Sequence, residues 1–183
     1  MTKTCSKTWQ VILSGVGGQG LMMAGNLLGK AAVLFEGKNA AMVTAYGVES
    51  RGTFTKSDVI ISELEIDFPE VLDADAVIAL DVVAYKRYAE SLHERALLIY
   101  DDKIKHLPSK AKQEAYPISR IARENGNPSS VNIVALAILT KLTGLVDEGS
   151  VRNAITEEFR GKPSFAEQNI AVFDASIRSL GGA

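Results

Sequence analysis

"ILSGVGGQGL", residues 12–21, places four glycines within six positions directly after an apolar run. Trp9 to Leu13 is β-rich and stops at Ser14-Gly15, so it reads as a short buried strand. From Gln19 to Phe35 the chain is rich in Ala, Leu, Met and Gly, with apolar positions wrapping most of the circumference. That composition predicts a helix packed on a sheet, ended by Gly37. Gly15, Gly17 and Gly20 satisfy G-x-G-x-x-G between this strand and helix, the placement that a phosphate-cradling turn requires. Such a turn lets backbone N–H groups approach an anion at the N-terminus of a helix. The plainer reading is that the glycines only let helix and strand pack closely. Gly18 and Gln19 exceed what that packing needs.

Outward from the turn, "NAAMVTAYG" (39–47), "SDVIISE" (57–63) and "ALLIYDD" (96–102) read as further strands, and "DAVIALDVV" (75–83) contains another that ends near Asp81. The link between the second and third strands is too short for a helical crossover, so the third is expected antiparallel to the second. Residues 84–95 are helical in composition, and 102–112 read as a charged surface connection. "NGNP" (125–128) is a turn, followed by a helix from Ser129 or Ser130 to Gly144. Residues 147–160 and 164–180 read as two more helices around Gly161-Lys162-Pro163. Strands interleaved with helices predict an α/β fold: three layers, α/β/α, Rossmann-like, with a mostly parallel or mixed sheet. The 183 residues suit a single domain, 1–183.

Composition narrows the function. Hydrophobic residues make up 46% and charged residues 23%, with a net charge of −2, which gives no field for nucleic acid or an anionic membrane. One cysteine, Cys5, cannot form an internal disulfide or hold an iron–sulfur cluster, and His93 and His106 make no metal motif. The first ten residues lack a signal-peptide core, and no apolar run is long enough to span a membrane, so the expected location is cytoplasmic. Asp81 is a site residue or a helix-capping acid, Met22 and Met23 are core fillers, and both histidines are exposed. The helix "VALAIL" (134–139), apolar on every side, belongs to the core.

A free-standing NAD(P)-dependent Rossmann dehydrogenase needs an acid at the tip of the second strand to hold the ribose hydroxyls. Here that strand ends in Thr44-Ala45-Tyr46-Gly47, with Glu36 before it and Glu49 beyond it. The loop "AYGVESRGTFTKSD" (45–58) leaves this strand at the sheet edge where the glycine turn should lie. It carries Tyr46, Glu49, Arg51 and Lys56, with Gly47 and Gly52 as pivots. Arg51 can clamp a phosphate or carboxylate, and Tyr46 can stack or donate its hydroxyl. The loop is otherwise a solvated surface with an inconsequential Glu49–Arg51 pair.

The two loops together, "GVGGQG" and then "AYGVESRGT" followed by "SDVIIS", resemble the gamma subunit of the 2-oxoacid:ferredoxin oxidoreductases, equivalent to domain III of pyruvate:ferredoxin oxidoreductase. The likeness continues through "DADAVIALD", the Asn132 region and "EQNIAVFDASI" with Asn169, nearly the whole chain. Thr53 stands where the family pattern has a second glycine, and Val48 where 2-oxoglutarate-type members often have proline. Val16 replaces an arginine frequent in pyruvate-type subunits, favouring the 2-oxoglutarate or branched-chain side. The resemblance implies a non-redox subunit, inactive alone, of a complex that makes acyl-CoA and reduces ferredoxin. Lys103, Lys105, Lys110 and Lys112 form a solvated face, or else a docking surface for an acidic ferredoxin. Coenzyme A would be the co-substrate, with thiamine diphosphate, Mg and iron–sulfur clusters on partner subunits. It implies cofactor-binding roles for Gly17, Gly18, Gln19, Gly20, Tyr46, Glu49, Arg51 and Gly52, and no catalytic or metal-ligating residue in this chain. A scaffold subunit with no ligand is the remaining alternative.

Overall fold

The computed structural model describes residues 8–46 and 53–181, with the Tyr46 side chain excluded. Six strands form one mixed sheet in the order β2-β3-β1-β4-β5-β6. They are β1 (Thr8–Val16), β2 (Asn39–Tyr46), β3 (Phe54–Ser62), β4 (Ala76–Ala79), β5 (Leu97–Asp101) and β6 (Lys112–Tyr116). β1, β4, β5 and β6 run parallel, while β3 lies antiparallel between β1 and β2, as its short link requires.

The helices are α1 (Leu21–Glu36), α2 (Val82–Ser91), α3 (Ile118–Glu124), α4 (Val131–Thr143), α5 (Glu148–Glu158) and α6 (Pro163–Leu180). The α/β/α layering holds, but unevenly. On one face α2 packs its Ala84, Tyr85 and Tyr88 against Ile12, Val77 and Leu98. On the other, α1, α4 and α3 lie on the sheet, and α5 and α6 pack over α1 and α4. That side is two helices deep, which explains why Asn132 to Thr140 of α4 are all buried and why its sequence is apolar all round.

Several expected boundaries move. β4 stops at Ala79, two residues short of the expected end near Asp81, because Asp81 caps the next helix by accepting the Val83 N–H at 3.0 Å. α1 starts at Leu21, two positions later than its composition suggested, and β3 starts at Phe54. Residues 112–124, given no element from the sequence, contain β6 and α3. "KQEAY" has no apolar alternation and becomes a strand only by pairing in parallel with β5.

Candidate functional site: the glycine turn

β1 ends at Val16, opposite Phe54, while Gly15 faces Thr55 and Tyr46 faces Thr55 from the other side. The ends of β1 and β2 therefore reach the same sheet edge, and the Gly17 N–H donates to the Thr53 carbonyl at 3.2 Å. The loop carrying Glu49, Arg51 and Gly52 lies outside the described residues, as does the side chain of Tyr46. Its stem at Thr53 is nevertheless tied to the turn.

Gln19 holds the turn from beneath. Its Oε1 accepts the Val16 N–H at 2.8 Å, and its Nε2 donates to the Leu80 carbonyl at 3.2 Å. The side chain thus bridges the tips of the adjacent parallel strands β1 and β4. A Cβ on Gly15 would overlap Gln19 Oε1, so the first glycine makes room for the amide. The Gln19 backbone N–H turns back to the Val16 carbonyl at 3.3 Å.

Asn132 holds the other end. It sits, 5% exposed, at the start of α4 and donates from Nδ2 to the Gly20 carbonyl at 3.2 Å. Gly20 has φ +71°, and a Cβ there would lie 2.5 Å from Asn132 Nδ2. Gly18 has φ +96° with nothing near its missing Cβ, so it is the open apex. The Gly17 and Gln19 amides are used internally. Those of Gly18 and Gly20 meet no acceptor among the described residues. No side chain caps α1 and no acid lies in its first turn, so its positive end faces the same opening.

Of the sequence-predicted residues, Gly18 and Gly20 border this opening, whereas Gly17 and Gln19 spend their amides within the turn and the Gln19 side chain lies beneath it. Asp81 caps α2. Met22 and Met23 are not core fillers: they are 54% and 36% exposed on the outer side of α1, opposite its buried stripe. His93 is half-buried rather than free in solvent, with Nε2 2.9 Å from Asp73, whereas His106 is exposed and bonds Tyr100. No group of three metal-ligating side chains occurs among the described residues.

Two features escaped the sequence. Asn132, a lone polar residue in an apolar helix, was the available signal for a clamp. On the α2 face, Lys56 pairs at 2.5 Å with Asp58, itself 2% exposed, beside Phe54 and Tyr88. Burial, reinforced by the Asp58 carboxylate and opposed by Arg87, pushes the Tyr88 hydroxyl up to about 12.

Comparison with known proteins gives this geometry a context. The model of the pyruvate ferredoxin/flavodoxin oxidoreductase family matches residues 10–179. A 2-oxoglutarate synthase subunit KorC from Methanocaldococcus jannaschii is 37% identical over 81% of this chain and 82% of its own length. A ketoisovalerate oxidoreductase subunit VorA from Methanothermobacter thermautotrophicus is 31% identical over 91% of this chain but only 35% of its own. The crystal structure of a keto/oxoacid ferredoxin oxidoreductase gamma subunit from Geobacter sulfurreducens superposes with TM-score 0.81 at 31% identity, covering 96% of this chain and 99% of that one. The match spans β1 to α6 and includes the turn, so the chain belongs to the pyruvate ferredoxin/flavodoxin oxidoreductase family, as a gamma-type subunit.

Proposed function

We propose that this chain is the non-redox subunit of a complex that converts a 2-oxoacid, 2-oxoglutarate in the first instance, to its acyl-CoA and passes the electrons to ferredoxin. Its glycine turn helps to hold coenzyme A. The observation that supports this is the opening itself: the Gly18 and Gly20 amides meet no acceptor among the described residues, beside the uncapped N-terminus of α1. Relatives named for 2-oxoglutarate and for ketoisovalerate share this unit, so the ligand it recognises is one common to both reactions rather than the acid itself. Coenzyme A, with its phosphates, has that character. Arg51 would add charge to the phosphate, with Tyr46, Glu49 and Gly52 shaping the loop.

In this reading thiamine diphosphate, Mg and the iron–sulfur clusters sit on partner subunits. The 2-oxoglutarate preference rests on the identity to KorC.

The test is steady-state kinetics on the complex purified from its native cell. Gly18→Ala should raise the KM for coenzyme A about tenfold with kcat little changed, the effect of misplacing one hydrogen bond to a charged group, ~1.5 kcal/mol. An unchanged KM in an intact complex would leave the chain a scaffold. Reduction of NAD by the chain on its own would make it a dehydrogenase.

A further inference from the structure

Helix α1 is apolar on two sides. Leu21, Ala24, Leu27, Leu28 and Ala31 are buried on the sheet, as one amphipathic stripe should be. On the opposite side Met22, Gly29 and Val33 repeat at helical spacing, interrupted by Asn26, which donates to Glu158 of α5 at 3.1 Å. Val33 and the neighbouring Leu34 are 45% and 56% exposed. Beside this stripe runs β2, the last strand of the sheet among the described residues, which pairs there with β3 alone. Its sequence, NAAMVTAY, contains no charge and no proline over eight residues. Edge strands normally carry such guards, and their absence marks a strand that something covers.

Between helix and strand lies a groove of about 330 Å³, lined by Gly25, Gly29, Val33, Leu34 and Met42. Its floor is low because Gly29 lies against Ala40, with room for an added Cβ only at 3.8 Å. The cation at its lip, Lys30, is neutralised by Glu158 at 2.6 Å. An apolar counter-surface without excess charge fits here; a charged one would be desolvated without a partner.

The relatives indicate the occupant. In the VorA relative the equivalent of this chain is 35% of a longer polypeptide, whereas in the KorC relative it is most of a separate one. A unit joined to its neighbours in one protein and free in another must recover them by non-covalent contact. We propose that the α1–β2 groove and the β2 edge dock the subunit corresponding to the rest of that longer chain. This rests on the proposed function. The stripe starts at Met22, two residues beyond the glycine turn, so the docked subunit would also wall the opening at Gly18.

The experiment uses the tagged full-length chain in its native cell, with a photo-crosslinking phenylalanine at Leu34 or, as control, at Leu72, which is 79% exposed and off this face. Captured proteins are identified by peptide mass. The expected result is a crosslink from position 34 to a subunit of the same oxidoreductase family, and none from position 72. Val33→Glu with Leu34→Glu should cut co-purification of that subunit at least tenfold, while Leu72→Glu does not and all variants keep the wild-type circular dichroism. Full co-purification by the double variant would overturn the docking face while leaving the proposed function standing. A crosslink solely to a second copy of this chain would replace the subunit by self-association. Capture of no oxidoreductase subunit by the wild type would remove the proposed function itself.

Discussion

At the scale of single residues, the turn is set by two amides that never face the opening. Gln19 pairs with a donor and an acceptor on different strands, so Gln19→Leu would leave the Val16 N–H and the Leu80 carbonyl without partners. Urea unfolding should show a loss of about 1–3 kcal/mol. Gln19→Glu retains the acceptor and loses the donor, so it should fall between the two. Gly20→Ala meets both a left-handed backbone and Asn132, and should cost about 1–3 kcal/mol. Combined with Asn132→Ala, its steric part should vanish, and the two losses should sum to more than the double variant shows. The sequence made the glycines legible as a motif but not their separate jobs. Gln19 reaches Leu80 across 61 residues, and Asn132 reaches Gly20 across 112, so no local pattern records either pairing. The residues at 47–52 stay where the sequence left them, as an expectation carried by family likeness.

Among the elements, the joint between α1 and α5 carries a pH signature. Glu36 Oε1 accepts the Asp147 N–H at 2.6 Å, and its other oxygen pairs with Lys38 at 2.7 Å. Burial alone would raise this carboxyl, but the bonds from Lys38, Asp147 and Ser150 outweigh it and hold Glu36 below its ordinary value of 4.5. A depressed folded value means stability that is present above the ordinary range and lost as the pH falls through the folded value. The stability gap between wild type and Glu36→Gln should therefore be constant near neutrality and close below about 4.5 in acid unfolding series. Strands and helices with strong apolar patterns, β1, α1, β3 and α4, were legible because their burial is written in their composition. β6 was not: Lys112, Gln113 and Glu114 become strand because β5 offers an open edge, a property of the assembled sheet.

For the whole molecule, the sequence foretold the layers and their order but not their depth. Met22 and Met23 looked like core because methionine usually fills gaps, yet both lie outside the buried stripe of α1, 54% and 36% exposed. High pH probes the opposite, thinner face. Tyr88 under α2 is held up to about 12, by burial first and by Asp58 second. A raised folded value means stability complete below the ordinary tyrosine value of 10.0 and lost as the pH climbs toward about 12. Tyr88→Phe should flatten this alkaline loss, followed by circular dichroism together with phenolate absorbance.

The bridge made by Gln19 has one more consequence. It ends on the Leu80 carbonyl, and the next residue, Asp81, anchors the first turn of α2 through the Val83 N–H. An anion arriving at Gly18 would tighten a splice between two strand tips, and the slack removed lies in a helix it never touches. Slower deuterium uptake at Val83 when coenzyme A is added, abolished in Gln19→Leu, would make the far side of the sheet a reporter of occupancy at the near one.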